Sequence, residues 1–149
     1  MIRIALIGAG GMGKRWAKAL SEHAGVSLVA VVDKDNTAAE AVSRQYGGIV
    51  FESADSMLKG ENPDACVIAV PHSFLARITH QVLEAGKHVL VEKPGASTAQ
   101  EMEKNIALAR NKNLRLMVGY NYRYFPGPMK AKEIVDSGRV GDIVFIRAR

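Results

Sequence analysis

Apolar residues recur along this chain in two rhythms. Short β-branched runs stand at Ile2 to Ile7, Ser27 to Asp33, Ile49 to Phe51, Ala65 to Val70, His88 to Glu92 and Leu116 to Gly119. Between them lie longer stretches with helical spacing, at Gly11 to His23, Thr37 to Tyr46, Ser56 to Lys59, Ser73 to Ala85 and Thr98 to Asn111. Met12, Trp16 and Leu20 recur every fourth residue, as do Phe74, Ile78 and Val82, which predicts an apolar stripe facing a sheet on each of those helices. Gly25, Gly47-Gly48, Gly86 and Asn113 tolerate the left-handed turn that follows a helix, and they mark the helix ends. Strands alternating with helices in this way predict an α/β fold, a doubly wound parallel sheet of six strands with helices on both faces.

After Gly119 the texture changes. Tyr120 to Pro128 holds four of the nine aromatic residues and three glycine or proline breaks, and it reads as a domain edge. The expected organisation is one domain over residues 1–120 and a junction over 121–149 that begins a second α+β domain. Within the junction a helix is expected at Met129 to Asp136 and a strand at Asp142 to Arg149. Alternation along that strand puts Ile143, Phe145 and Arg147 on one face and Val144, Ile146 and Ala148 on the other. Two apolar faces imply neighbours, and an unpaired strand of this kind is a site for self-association.

Composition narrows the function classes. At 149 residues, 48% of them hydrophobic and 23% charged, the chain has room for a single core. The net charge of +5 is scattered, with Gly13-Lys14-Arg15 and Lys130-Ala131-Lys132 as its densest clusters. That argues against nucleic acid as a partner, since such binders gather charge on one face, and leaves a modest pull on anionic ligands such as a pyrophosphate. The single cysteine, Cys66, lies inside an apolar run and excludes a disulfide framework and a cysteine metal site. No stretch approaches the roughly 18 apolar residues of a membrane span, and Met1 to Ile7 is too short for a signal peptide. A cytoplasmic enzyme or binding domain with no membrane partner is the expectation.

Candidate chemistry starts at Gly8-Ala9-Gly10-Gly11-Met12-Gly13, a GxGxxG loop directly after a strand and opening a helix. Gly8 allows the tight turn, Gly10 lets backbone approach a pyrophosphate, and Gly13 permits close helix packing on the sheet. The free N–H groups and positive dipole end of the helix then face the phosphates. This makes the predicted sheet Rossmann-type; the alternative is a purely structural turn. Asp33 follows 25 residues after Gly8, close to the spacing at which an acid accepts hydrogen bonds from the adenosine ribose. Its charge would repel a 2′-phosphate and so favours NAD over NADP, with neighbouring Lys34 partly offsetting the repulsion. In Asp33-Lys34-Asp35-Asn36 a turn or helix-capping role is the alternative.

Val89-Leu90-Val91-Glu92-Lys93-Pro94 carries an amine to the carboxyl edge of the sheet, where open α/β folds bind ligands. A lysine ammonium such as Lys93 is unsuited to act as a base but suited to donate a hydrogen bond to a substrate oxygen and stabilise a developing alkoxide. Glu92 either holds Lys93 by charge or faces another partner. His72 follows Pro71 at the end of the fourth strand and is placed to line the nicotinamide site, with an exposed loop histidine as the alternative, and Val70 and Pro71 beside it are expected to contribute to the cofactor site. Tyr120, Tyr122 and Arg123, where the sixth strand opens, either line the cleft or pack the domain junction. The four histidines show no metal-ligand spacing, and no metal is expected.

The glycine loop, Asp33, the segment Ala85 to Pro94 and Asn121-Tyr122-Arg123-Tyr124-Phe125-Pro126 together resemble the glucose-fructose oxidoreductase, inositol dehydrogenase and MocA family over the whole chain. The resemblance implies that Lys93 is the active-site lysine, that a constrained, cis peptide precedes Pro94, and that Asn121 and Arg123 belong to the motif ending the sixth strand. It implies hydride transfer between NAD(H) or NADP(H) and a sugar or cyclitol hydroxyl, in dimers or tetramers. The histidine that many members carry four residues after the fourth-strand proline is Leu75 here. The second domain that holds the family's substrate pocket would follow Arg149, so the chain reads as the cofactor part of a longer oxidoreductase that binds dinucleotide without turnover. A non-enzymatic dinucleotide-binding module is the rival; a methyltransferase gives no account of Glu92-Lys93-Pro94.

Overall fold

A computed structural model describes residues 1–147 of the protein. The chain divides into two compact units, Met1–Gly119 and a second from Tyr120 onward. The first comprises β1 (Ile2–Ile7), α1 (Gly11–Ser21), β2 (Val26–Val32), α2 (Asn36–Tyr46), β3 (Ile49–Phe51), α3 (Ala54–Gly60), β4 (Ala65–Ile68), α4 (His72–Glu84), β5 (His88–Val91), α5 (Ala99–Asn111) and β6 (Leu116–Val118). The strands form one parallel sheet in the order β3-β2-β1-β4-β5-β6. This is the doubly wound sheet expected from the sequence, with element ends moved by no more than two residues.

Pleating of β1 divides the core in two. Ile4 and Leu6 point to the layer shared with Ala17 of α1 and Ala39 and Val42 of α2. Ala5 and Ile7 point to the opposite layer, with Met57 of α3, Leu75, Ile78 and Val82 of α4, and Ala109 of α5. Burial on both faces explains why the strands are nearly continuous apolar runs. Side chains start three of the helices: Asp35 accepts from the Ala38 N–H at 3.2 Å, while Ser53 with Ser56 and Thr98 with Glu101 form reciprocal caps. On the outer layer Asn105, 2% exposed, joins α5 to α4 by donating to the Ala76 carbonyl and meeting His80 Nδ1.

Two predicted stripes are corrected. The face of α1 buried on the sheet is Gly13 and Ala17, with Met12, Trp16 and Leu20 half-buried on its flank. Small residues at the contact let the helix axis come close, and the large side chains then splay sideways. On α4, Ile78 and Val82 are buried as expected, but Leu75 takes the core position and Phe74 is 43% exposed.

In the second unit a 3₁₀ turn at Asn121–Tyr124, absent from the sequence prediction, leads into α6 (Pro126–Asp136), which starts three residues before the expected Met129. Pro126 opens the helix because its missing N–H has no intrahelical role there. The rings of Tyr122 and Phe125 meet at 5.0 Å. The predicted strand Asp142 to Arg149 does not form over 142–147, and Ala148 and Arg149 lie outside the described residues. Alternating apolar character is not sufficient for a strand, whose backbone groups need a paired neighbour.

Cys66 lies at the centre of β4, fully buried, and burial pushes its thiol up to about 12 from an ordinary 9.0. Native protein at pH 8 is therefore expected to resist an aromatic disulfide reagent and to react promptly once unfolded in urea. Because the raised value favours the neutral thiol in the fold, this contribution to stability is full below about pH 9 and declines as pH climbs toward 12. Urea melts across that range would detect it.

Candidate functional site

Sheet order reverses between β1 and β4, and at that point the strands open onto a cleft of about 490 Å³ at their carboxyl ends. Gly8 and Gly10 after β1, Asp33 and Lys34 after β2, and Val70 and Pro71 after β4 form part of its wall. Glu52 to Asp55 close it beyond β3, and Phe74, Arg77, Ile78 and Gln81 of α4 supply the remaining side.

The glycine loop is a tight backbone crossing. Gly8 has φ +102°, and a Cβ there would stand 2.4 Å from the Ala69 carbonyl oxygen. A Cβ on Gly13 would stand 1.9 Å from the Gly8 oxygen, so both positions exclude any side chain. Gly10 and Gly11, by contrast, have open space on the side where a Cβ would project. No side chain caps α1, in contrast to α2, α3 and α5, and its first N–H groups remain available for an anion. The open room over Gly10 and these unsatisfied donors fit a pyrophosphate.

Asp33 ties the loop to β2. Its Oδ2 accepts the Ala9 N–H at 2.7 Å and its Oδ1 accepts the Asp35 N–H at 3.0 Å. Each oxygen keeps a second lone pair for a hydroxyl donor, so the turn role and the ribose role expected for Asp33 are compatible.

Beyond β5, Glu92 is 6% exposed, and its Oε1 accepts the indole N–H of Trp16 at 2.8 Å. Its Oε2 accepts the Lys93 backbone N–H at 3.3 Å. Of the two alternatives for Glu92, the structure takes the second: the carboxylate faces Trp16, and the Lys93 side chain is exposed with no ion-pair partner among the described residues. The Lys93–Pro94 peptide bond is cis.

Within the first unit, not every expected residue reaches the cleft wall. Gly8, Gly10, Asp33, Lys34, Val70 and Pro71 do. Ala9, Gly11, Met12 and Gly13 belong to the loop and the start of α1, His72 is the exposed first residue of α4, and Glu92 and Lys93 follow β5. Asn121 and Arg123 stand on the 3₁₀ turn of the second unit, where the Arg123 guanidinium lies 5.9 Å over the Tyr124 ring. Leu75 is fully buried in the core. Sequence reasoning missed Glu52, Ser53, Ala54 and Asp55, although the strand-end argument used for Asp33 applies equally to the end of β3. It also missed Phe74, Arg77, Ile78 and Gln81, whose i, i+3, i+4, i+7 spacing marks one face of α4. Among the described residues no three His, Cys, Asp or Glu side chains gather as metal ligands.

Gly13→Ala is expected to cost on the order of 3 kcal/mol or more in a urea melt, because two backbone segments must separate. Gly10→Ala should change stability by only about 0.5 kcal/mol while weakening dinucleotide binding, since the added methyl occupies the approach path. Trp16→Phe should cost about 1–3 kcal/mol by leaving one oxygen of a buried carboxylate, Oε1 of Glu92, without its donor, and Glu92→Gln, which retains an acceptor, should cost less. Equal melts for Trp16→Phe and the parent would show that the indole bond carries no stability.

Comparison with known proteins agrees with this architecture. Residues 2–120 match the Gfo/Idh/MocA family model, described as an oxidoreductase family with an NAD-binding Rossmann fold. An inositol 2-dehydrogenase of Rhizobium meliloti is 34% identical over 97% of this chain and 44% of its own length. A glucose-6-phosphate 3-dehydrogenase of Bacillus subtilis is 31% identical over 99% of this chain and 41% of its own. The crystal structure of scyllo-inositol dehydrogenase from Lactobacillus casei, with NAD(H) and scyllo-inositol bound, superposes with a TM-score of 0.90 at 29% identity, covering 96% of this chain and 43% of that one. The chain thus spans somewhat over two fifths of the length of these relatives. A six-stranded doubly wound sheet, a glycine loop clamped by Asp33 and a family match across the whole first unit lead to one conclusion: this chain belongs to the Gfo/Idh/MocA oxidoreductases, through their NAD-binding Rossmann domain.

Proposed function

We propose that the first unit is the cofactor-binding part of an NAD-dependent dehydrogenase acting on a hydroxyl of a cyclitol or sugar. The observation that carries the reading is the cleft at the strand-order reversal, with an uncapped helix start on one side and a backbone-held carboxylate on another. When bound, the nicotinamide would supply or accept the hydride. The N–H groups opening α1 would hold the pyrophosphate, with Gly10 giving it room, and Asp33 would accept from the ribose hydroxyls. Val70 and Pro71 would pack against the dinucleotide from the β4 side. Lys93, exposed and without an ion-pair partner among the described residues, would donate to the substrate oxygen and steady the charge that grows there as hydride moves.

Asp33 and the NAD(H)-bound relative support NAD over NADP. The inositol and sugar-phosphate dehydrogenases among the relatives support the substrate class. Turnover would also require groups that hold the substrate, so the 149-residue chain by itself would bind cofactor and stop there.

The test is titration of this chain with NADH, following quenching of Trp16, its one tryptophan. Saturable quenching, with no reduction of NAD by myo-inositol or glucose 6-phosphate, is the expected pair of results. Absence of binding would remove the cofactor reading, and substrate-dependent reduction of NAD would show that the chain suffices for catalysis.

A further inference from the structure

The cleft contains a charged side chain for which the proposed chemistry has no use. β2 and β3 run in parallel with Val32 beside Phe51, and the Asp33 N–H donates to the Phe51 carbonyl at 3.2 Å. The residues that follow, Asp33 and Glu52, therefore leave the sheet side by side, and both line the cleft.

Their circumstances differ. Asp33 is half-buried and both its oxygens already accept backbone N–H groups, so its position and part of its acceptor capacity are committed to the loop. Glu52 is exposed, and no hydrogen bond or ion pair among the described residues engages its carboxylate. The third acid of the wall, Asp55, is paired with Lys59 at 2.6 Å. Two cations share the wall, Lys34 beside Asp33 and Arg77 over the Phe74 ring. Neither is ion-paired among the described residues, so Asp33 and Glu52 together balance Lys34 and Arg77. Without Glu52 the balance would turn positive, in favour of an added phosphate.

We propose that Glu52 is a specificity-determining residue of this cleft. With Asp33 held by the backbone, the Glu52 carboxylate offsets the attraction of Lys34 and Arg77 for a 2′-phosphate, and so sets the preference for the unphosphorylated dinucleotide. The inference rests on the reading of the cleft as a dinucleotide site. A 2′-phosphate carries nearly two negative charges; one carboxylate at the mouth of a water-filled cleft then separates the two cofactors by roughly five- to tenfold.

The experiment measures Kd for NADH and NADPH on the 149-residue chain, by the fluorescence of the bound nicotinamide, for the parent and for Glu52→Gln and Glu52→Ala. Both variants should lower the NADPH-to-NADH Kd ratio roughly five- to tenfold at low salt, mainly through tighter NADPH, and the change should shrink at high ionic strength. Thermal melts matching the parent are expected, since Glu52 is exposed. An unchanged ratio in both variants overturns the inference while leaving the cofactor site standing. A ratio change that is indifferent to salt overturns it as well, since shape and not charge would then discriminate. Failure of the parent to bind either dinucleotide overturns the cofactor reading and this inference with it.

Discussion

The contact of Gly13 with the Gly8 carbonyl is the constraint on which the rest of the site depends. Any side chain at position 13 would stand 1.9 Å from that oxygen, so the first turn of α1 rests directly on the loop that feeds it. Three consequences follow from this closeness. Ala17, one turn further on, reaches the sheet and joins the core layer with Ile4 and Leu6. The uncapped N–H groups of α1 are held at the mouth of β1, beside the cleft. Larger residues of the helix are displaced to its flank, which directs Trp16 toward the end of β5.

Trp16 and Glu92 join parts of the fold that are 76 residues apart in sequence. A carboxylate that is 6% exposed is tolerable only when its oxygens accept strong donors, and here the indole N–H and the Lys93 backbone N–H provide them. Successive side chains of an extended segment point to opposite sides, so an inward Glu92 places Lys93 outward. One hydrogen bond from the helix that opens on the cleft thus anchors the backbone from which the exposed amine projects. The arrangement leaves the Lys93 ammonium exposed and not neutralised by its own neighbour.

The cleft divides its polar work in a similar manner. Asp33 serves the fold first, joining the Ala9 and Asp35 N–H groups, and presents only its remaining lone pairs. Side chains of α4 form the opposite wall, where Phe74 is left partly exposed instead of filling the core. Leu75 and Ile78 fill that space from the same helix. The helix thus presents a buried face to the core and an adjoining face to the cleft, with Ile78 at the boundary between them.

How much of this was legible in the chain depends on the range of the interaction concerned. Strands buried on both faces, helices with a repeat near four and the glycine loop between them are local patterns, and within the first unit they determined the sheet, the helices and the position of the loop within two residues. Asp33 was legible because a strand end and a fixed spacing from Gly8 identify it. The partner of Glu92 was not: the choice between Lys93 and Trp16 depends on how closely α1 packs, and that is decided by Gly13 against Gly8 in three dimensions. Phe74 and the apolar alternation after Asp142 misled for the same reason, since periodicity states that a face is apolar but not what covers it. Local backbone preference and hydrophobic period are written in the sequence. Which groups meet across the sheet, and which are left exposed at the cleft, is decided only when the layers close.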